Sequence, residues 1–221
     1  MASVSVAKAG GAGTGALLFA CVAEHGSAAH PYFVSETLVS GPESARNLAD
    51  AVHFLCALHG RHPGIVDLAA GRASEAAARI WLNIAGDAMA VERLFLTRLA
   101  VAVGPVPSTP GGAGSESAVI AQRGALATLA QSDRKGCALG AALAFAADWV
   151  PIRGLLDSVA QRLAVEPPPC RIGEEAGPVA NLLGESAAAE RAMLFGAQQL
   201  SLQHRGLWDL LEARHQARIG S

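Results

Sequence analysis

Lysine is nearly absent from this chain: Lys8 and Lys135 are the only two, and arginine supplies the other basic groups. With 17 basic against 19 acidic side chains and a net charge of -2, it has no basic field of the kind that drives non-specific nucleic-acid binding, so nucleic acid is not an expected partner. Charged residues make up only 16% of the chain and its mean hydropathy is +0.31. That excludes disorder, because enough apolar surface exists to offset the chain entropy lost on folding. Aromatic residues are scarce at 5%, which weighs against strands.

Cysteine is sparse too. Cys21, Cys56, Cys137 and Cys170 lie far apart without a Cys-x-x-Cys spacing. They read as free thiols of a reducing cytoplasm, with two long-range bridges left open by spacing alone. No apolar run reaches the roughly 20 residues that a membrane-spanning helix needs, neither 16–23 (ALLFACVA) nor the uncharged stretch 136–147, so no membrane contact is expected. The run 16–23 resembles a signal-peptide core, yet one lysine precedes it, and a cytoplasmic chain without a leader is the expectation.

What is abundant is alanine, about a fifth of the residues, and this predicts an all-α protein. The expected architecture is a flexible tail over 1–13 and one helical domain over 14–221, a bundle of seven or eight helices. Ser40-Gly41-Pro42-Glu43 reads as a capping-box start for a helix that Gly60 ends. Ser74 is expected to cap a long helix to about Val103. Helices over 115–131 and 134–149 follow, then a third entered at Pro151. A long C-terminal helix covers 185–218. The stretches 104–114 (GPVPSTPGGAG) and 166–184 read as irregular linkers, the first a surface excursion or a lid. Gly136 and Gly140, followed by alanines, make a smooth helix face suited to close packing.

Ionisable residues on apolar helix faces are the candidates for function. His59 falls near the centre line of the stripe Leu48, Val52, Leu55 and Cys56. In the Ser74 helix the expected inward stripe is Ala77, Ile80, Trp81, Ile84, Ala88, Val91 and Phe95, with Glu92 on its shoulder and Arg93 outside. Glu116 and Arg123 share an inward face, and Arg123 then needs a carboxylate partner. His204 and His215 lie on the apolar line of the last helix, with Glu190 on its shoulder and Trp208 beside it. Tyr32, the only tyrosine, sits in a connecting segment that pins to the bundle or lines a site.

Two chemistries fit this set. His59, Arg123, Trp208 and Tyr32 would line a small-molecule pocket. Alternatively, Glu92, Glu116, Glu190, His204 and His215 would hold iron or manganese, as carboxylates and histidines inside a helical bundle do in di-iron and di-manganese oxidoreductases. That pattern is matched only in part: Glu212-x-x-His215 has the right spacing and Asp50-x-x-His53 approximates it, but Glu212 is on the flank and His53 points away. A haem held by His59 is a lesser expectation. Gly10-Gly11-Ala12-Gly13-Thr14-Gly15 has the glycines of a phosphate loop without its Gly-Lys-Ser/Thr and reads as tail.

Glu92-Arg93-Leu94-Phe95, the 104–111 segment and Asp133-Arg134-Lys135-Gly136 through Asp148-Trp149 resemble segments of uncharacterised helical proteins from alphaproteobacteria. The resemblance spans roughly 76–163 and implies no activity. Helix count and order are loosely similar to the ferritin-like and haem-oxygenase-like classes, which speaks to fold and not to function. The expected function is a small-ligand-binding or self-associating module, a homo-oligomer because so apolar a chain must leave apolar surface outside. A metal-dependent oxidoreductase is the alternative.

Overall fold

A computed structural model describes residues 13–220; the expected tail, apart from Gly13, lies outside the described residues. These residues form α1 (Thr14–His25), a short 3-10 turn (Ser27–Ala29), α2 (Glu36–Val39), α3 (Ser44–His59), α4 (Ile65–Ala70), α5 (Ala76–Ala102), α6 (Gly112–Ala130), α7 (Cys137–Arg162), α8 (Ala176–Leu183) and α9 (Ala187–Ile219). No strand occurs among them, and the all-α class holds.

The core is built around α7, which is buried along most of its length. Its widest contact is with α9. The two backbones approach closely because neither helix carries a side chain at the crossing. A Cβ on Gly140 would stand 2.1 Å from the Met193 carbonyl oxygen, and one on Gly196 would stand 2.1 Å from that of Cys137. Ala144, one turn on from Gly140 and fully buried, continues this face, so the small-residue pattern is a packing device. By length and composition α7 could cross a membrane, but 78% of its apolar window is buried inside the fold.

Several boundaries differ from expectation, each for a local reason. Ser35, not Ser40, caps a helix: its Oγ accepts the Leu38 N–H at 3.3 Å and opens α2. Gly41 closes α2 by donating to the Glu36 carbonyl at 2.6 Å, and α3 starts only at Ser44. Pro151 does not begin a helix but lies within α7. The backbone bond it forfeits is outweighed by burial of Trp149, Ile152, Leu155, Leu156 and Val159 around it.

Eight residues of the expected linker 166–184 form α8. Pro178 stands in its first turn, where backbone N–H groups have no intrahelical acceptor and proline costs little. The linker between α5 and α6 is irregular as expected, but it is tied down. His53 Nε2 lies 2.8 Å from the Gly104 carbonyl oxygen, and Arg214 donates to the Pro107 carbonyl and to Thr109 Oγ1, both at 3.1 Å.

The face that α5 buries is also different. Ala78, Trp81, Leu82, Ala85, Met89, Leu96 and Leu99 point inward with Phe95, while Ile80, Ile84 and Val91 are exposed. Arg93, expected outside, is buried because its guanidinium pairs with Asp67 from α4. That ion pair and the volume of Trp81 and Met89 turn the helix away from the orientation its isoleucines suggest.

Candidate functional site

Five segments bring polar side chains together in the apolar centre. Asp148 of α7 is buried among them. Its Oδ1 accepts the Ser27 backbone N–H at 2.8 Å, and its Oδ2 accepts the Ser27 hydroxyl at 2.7 Å and Nδ1–H of His204 at 2.6 Å. Gly26 allows this approach, since a Cβ there would stand 2.5 Å from Asp148 Oδ1. Burial opposes ionisation of Asp148, but the bonds from His204 and Ser27 outweigh it and hold the carboxyl below its ordinary range. With Nδ1 committed to Asp148, the remaining His204 ring nitrogen, Nε2, is buried without a hydrogen-bond partner.

His59 of α3 lies against this group. Its ring centroid is 5.0 Å from that of His204, 5.0 Å from Phe145 and 5.6 Å from Trp149. Its Nε2 is also buried and unpartnered. Burial first, then the neighbouring His204 and Arg93, push its pKa well below the ordinary histidine value, so the ring is neutral.

A second polar group lies one turn further along α7. Glu92 of α5 accepts from the Trp149 indole at 2.9 Å and from the Arg153 guanidinium at 2.5 Å. Arg153 also donates to Asp157 at 2.9 Å and to the Pro168 carbonyl, and it lies 4.5 Å over the Phe95 ring. Burial pushes the Glu92 carboxyl above its ordinary range, against the pull of Trp149 and Arg153.

From the surface, His59 is approached through a crevice of about 40 Å³. Leu58, Ile65, Leu68 and Leu126 form its apolar walls, and Arg61 and Arg123 belong to its lining, which contains no carboxylate. Arg123 was expected to meet an acid. Instead its Nη1 donates to the Ala57 carbonyl at 3.3 Å. Being only half-buried, it draws enough compensation from the carbonyl end of α3 and from solvent.

The structure brings together His59, Arg123 and, behind them, His204. It does not add Trp208 or Tyr32 to the crevice. Trp208 is fully buried edge-on to Phe33, at 4.8 Å between ring centroids, and Tyr32 packs 6.4 Å from the His215 ring.

Four of the five metal candidates have separate partners. Glu92 holds Arg153 and Trp149, Glu190 accepts the Thr14 hydroxyl at 2.9 Å, His204 holds Asp148, and His215 Nδ1 is 3.2 Å from Asn47 Nδ2. Glu116 is exposed. Among the described residues no group of three or more His, Cys, Asp or Glu is placed to hold a metal ion.

Sequence reasoning missed Asp148, Ser27, Arg153 and a third buried group. In that group Asp50 accepts from Arg214 at 2.8 and 3.1 Å and from Arg218, and Arg218 also donates to Asn47 Oδ1 at 2.6 Å. Asp148 left a trace in the sequence: it is the first charge after the uncharged run 136–147, and a lone carboxylate there needs buried donors. Ser27 left none, and Asp50 showed only as the head of an Asp-x-x-His spacing that does not mark it as buried.

No curated protein and no solved structure matches the chain. A family model described as a family of unknown function (DUF6975) matches residues 22–219, and the chain belongs to that family.

Proposed function

We propose that the protein is a small-ligand-binding helical module whose site is the His59 crevice, and that its ligand is a compact carboxylate. The observation that carries this reading is the lining itself, with two arginines and a buried neutral imidazole, apolar walls and no acidic side chain. A carboxylate would take the guanidinium donors at the mouth, and a short alkyl group would face Leu58, Ile65, Leu68 and Leu126. The small volume restricts the ligand to a few heavy atoms. Metal-dependent oxidoreduction is not preferred, because its candidate ligands are spread among separate partners. Four unbridged cysteines support a reducing, cytoplasmic setting.

The test is an NMR titration of the full chain with acetate, followed at the arginine side chains and the His59 ring. Saturable shifts are expected at both, weakened about tenfold or more by Arg61→Ala or Arg123→Ala and abolished by Leu126→Trp, which fills the crevice. Absence of saturable shifts, or equal affinity in the arginine variants, overturns the reading.

A further inference from the structure

Among the described residues no element covers the outer face of α5. Along it Ile80, Ile84, Val91, Leu94 and Val101 are 62%, 56%, 42%, 69% and 78% exposed. Asp87 and Arg98 fall on the same line and are exposed as well. The seven positions 80, 84, 87, 91, 94, 98 and 101 advance in alternating steps of four and three, the spacing of a coiled-coil seam. Single exposed apolar residues are ordinary, but a sustained seam on a 27-residue helix is not. The Asp87 and Arg98 side chains make no hydrogen bond or ion pair among the described residues.

We propose that this face is a homodimer interface, in which α5 packs antiparallel against α5 of a second copy. The two charges select both the occupant and its direction. With the two-fold axis passing between Glu92 and Arg93, Val91 faces the partner's Leu94, Ile84 faces the partner's Val101, and Asp87 faces the partner's Arg98. Every layer then joins an a position to a d position, and both charges in the seam meet their opposite. A parallel pair in register sets Asp87 against the partner's Asp87 and Arg98 against the partner's Arg98, two like-charge layers that oppose association.

Ala88 and Ala90 flank the central layer and permit close approach of the two backbones. At a rise of about 1.5 Å per residue the seam from Ile84 to Val101 is roughly 25 Å long. That places the interface at the small end of specific contacts, so the dimer is concentration-dependent. This inference is independent of the crevice, which lies between α3, α4 and α6.

Sedimentation equilibrium of the full chain at low ionic strength tests it. A monomer–dimer equilibrium is expected that weakens as salt is added. Val91→Glu, which alters the central layer twice per dimer, should leave only monomer. Asp87→Arg and Arg98→Asp should each weaken association about tenfold, and the two together should restore it. All these positions are exposed, and unchanged circular dichroism would show that the variants fold. A chain that stays monomeric to about 1 mM overturns the proposal, as does a dimer that survives Val91→Glu or a double reversal that fails to restore association.

Discussion

His204 and Asp148 are 56 positions apart in the sequence, yet their side chains meet at 2.6 Å in the centre of the molecule. The bond fastens α9 to α7, and through Ser27 it also fastens the segment that follows α1. Removing the carboxylate strands an imidazole, a hydroxyl and a backbone N–H in apolar surroundings. Asp148→Ala should therefore cost about 3–5 kcal/mol, more than Asp148→Asn, which keeps an acceptor. The urea midpoint of each variant measures this, and equal midpoints for the alanine variant and the wild type would refute it.

Acid should destabilise the protein in two stages. His59 has a folded pKa well below its ordinary value, whereas in the unfolded chain it titrates near 6.5. As pH falls below about 6.5 the unfolded state gains a proton that the folded state refuses, and stability drops. Asp148, also depressed, contributes stability above its unfolded value of about 3.9 that is lost as pH falls through its folded value. Glu92, raised by burial, acts in the opposite sense, so the informative quantity is a difference between variants. His59→Leu should flatten the Tm profile between pH 7 and 5 and leave the lower stage in place. An unchanged upper slope would count against it.

Glycines of α7 and α9 should differ in sign. Gly140→Ala drives a methyl group into the Met193 backbone and Gly196→Ala drives one into that of Cys137. Neither backbone can yield cheaply, and a loss of about 3 kcal/mol or more is expected from each. At Gly154, also in α7, a Cβ meets nothing within 4 Å, and alanine should stabilise by up to about 1 kcal/mol. Thermal melts of the three variants decide the matter.

The irregular segment between α5 and α6 should depend on Asp50. That carboxylate, fully buried, orients Arg214 and Arg218, which in turn reach Thr109 at 3.1 and 2.8 Å. Asp50→Asn should raise hydrogen exchange across 104–111, whereas α8, which lies elsewhere, keeps its protection. Exchange that rises uniformly would point to global loosening instead.

Legibility followed the range of the interactions involved. The all-α class, the long last helix and the packing role of Gly140 were readable because alanine content and small-residue spacing act through neighbours three or four positions away. His59 and His204 were readable as inward groups because each lies on the apolar line of a single helix. The orientation of α5 was not: its isoleucines mark one face, and the opposite assignment depends on Asp67, which belongs to a different helix. Arg123 was misread for the same reason, since its acceptor is a carbonyl at the end of α3.

The amino-acid order alone therefore determined the all-α class, the long last helix and the inward placement of His59 and His204, since these depend on backbone preference and apolar periodicity within one turn or two. Only the tertiary structure decided which buried groups meet: Asp148 with His204, Asp50 with Arg214, Glu92 with Arg153. Each pair joins residues more than fifty positions apart, and helix rotation and close approach, which set such pairings, are settled by the packed bundle as a whole.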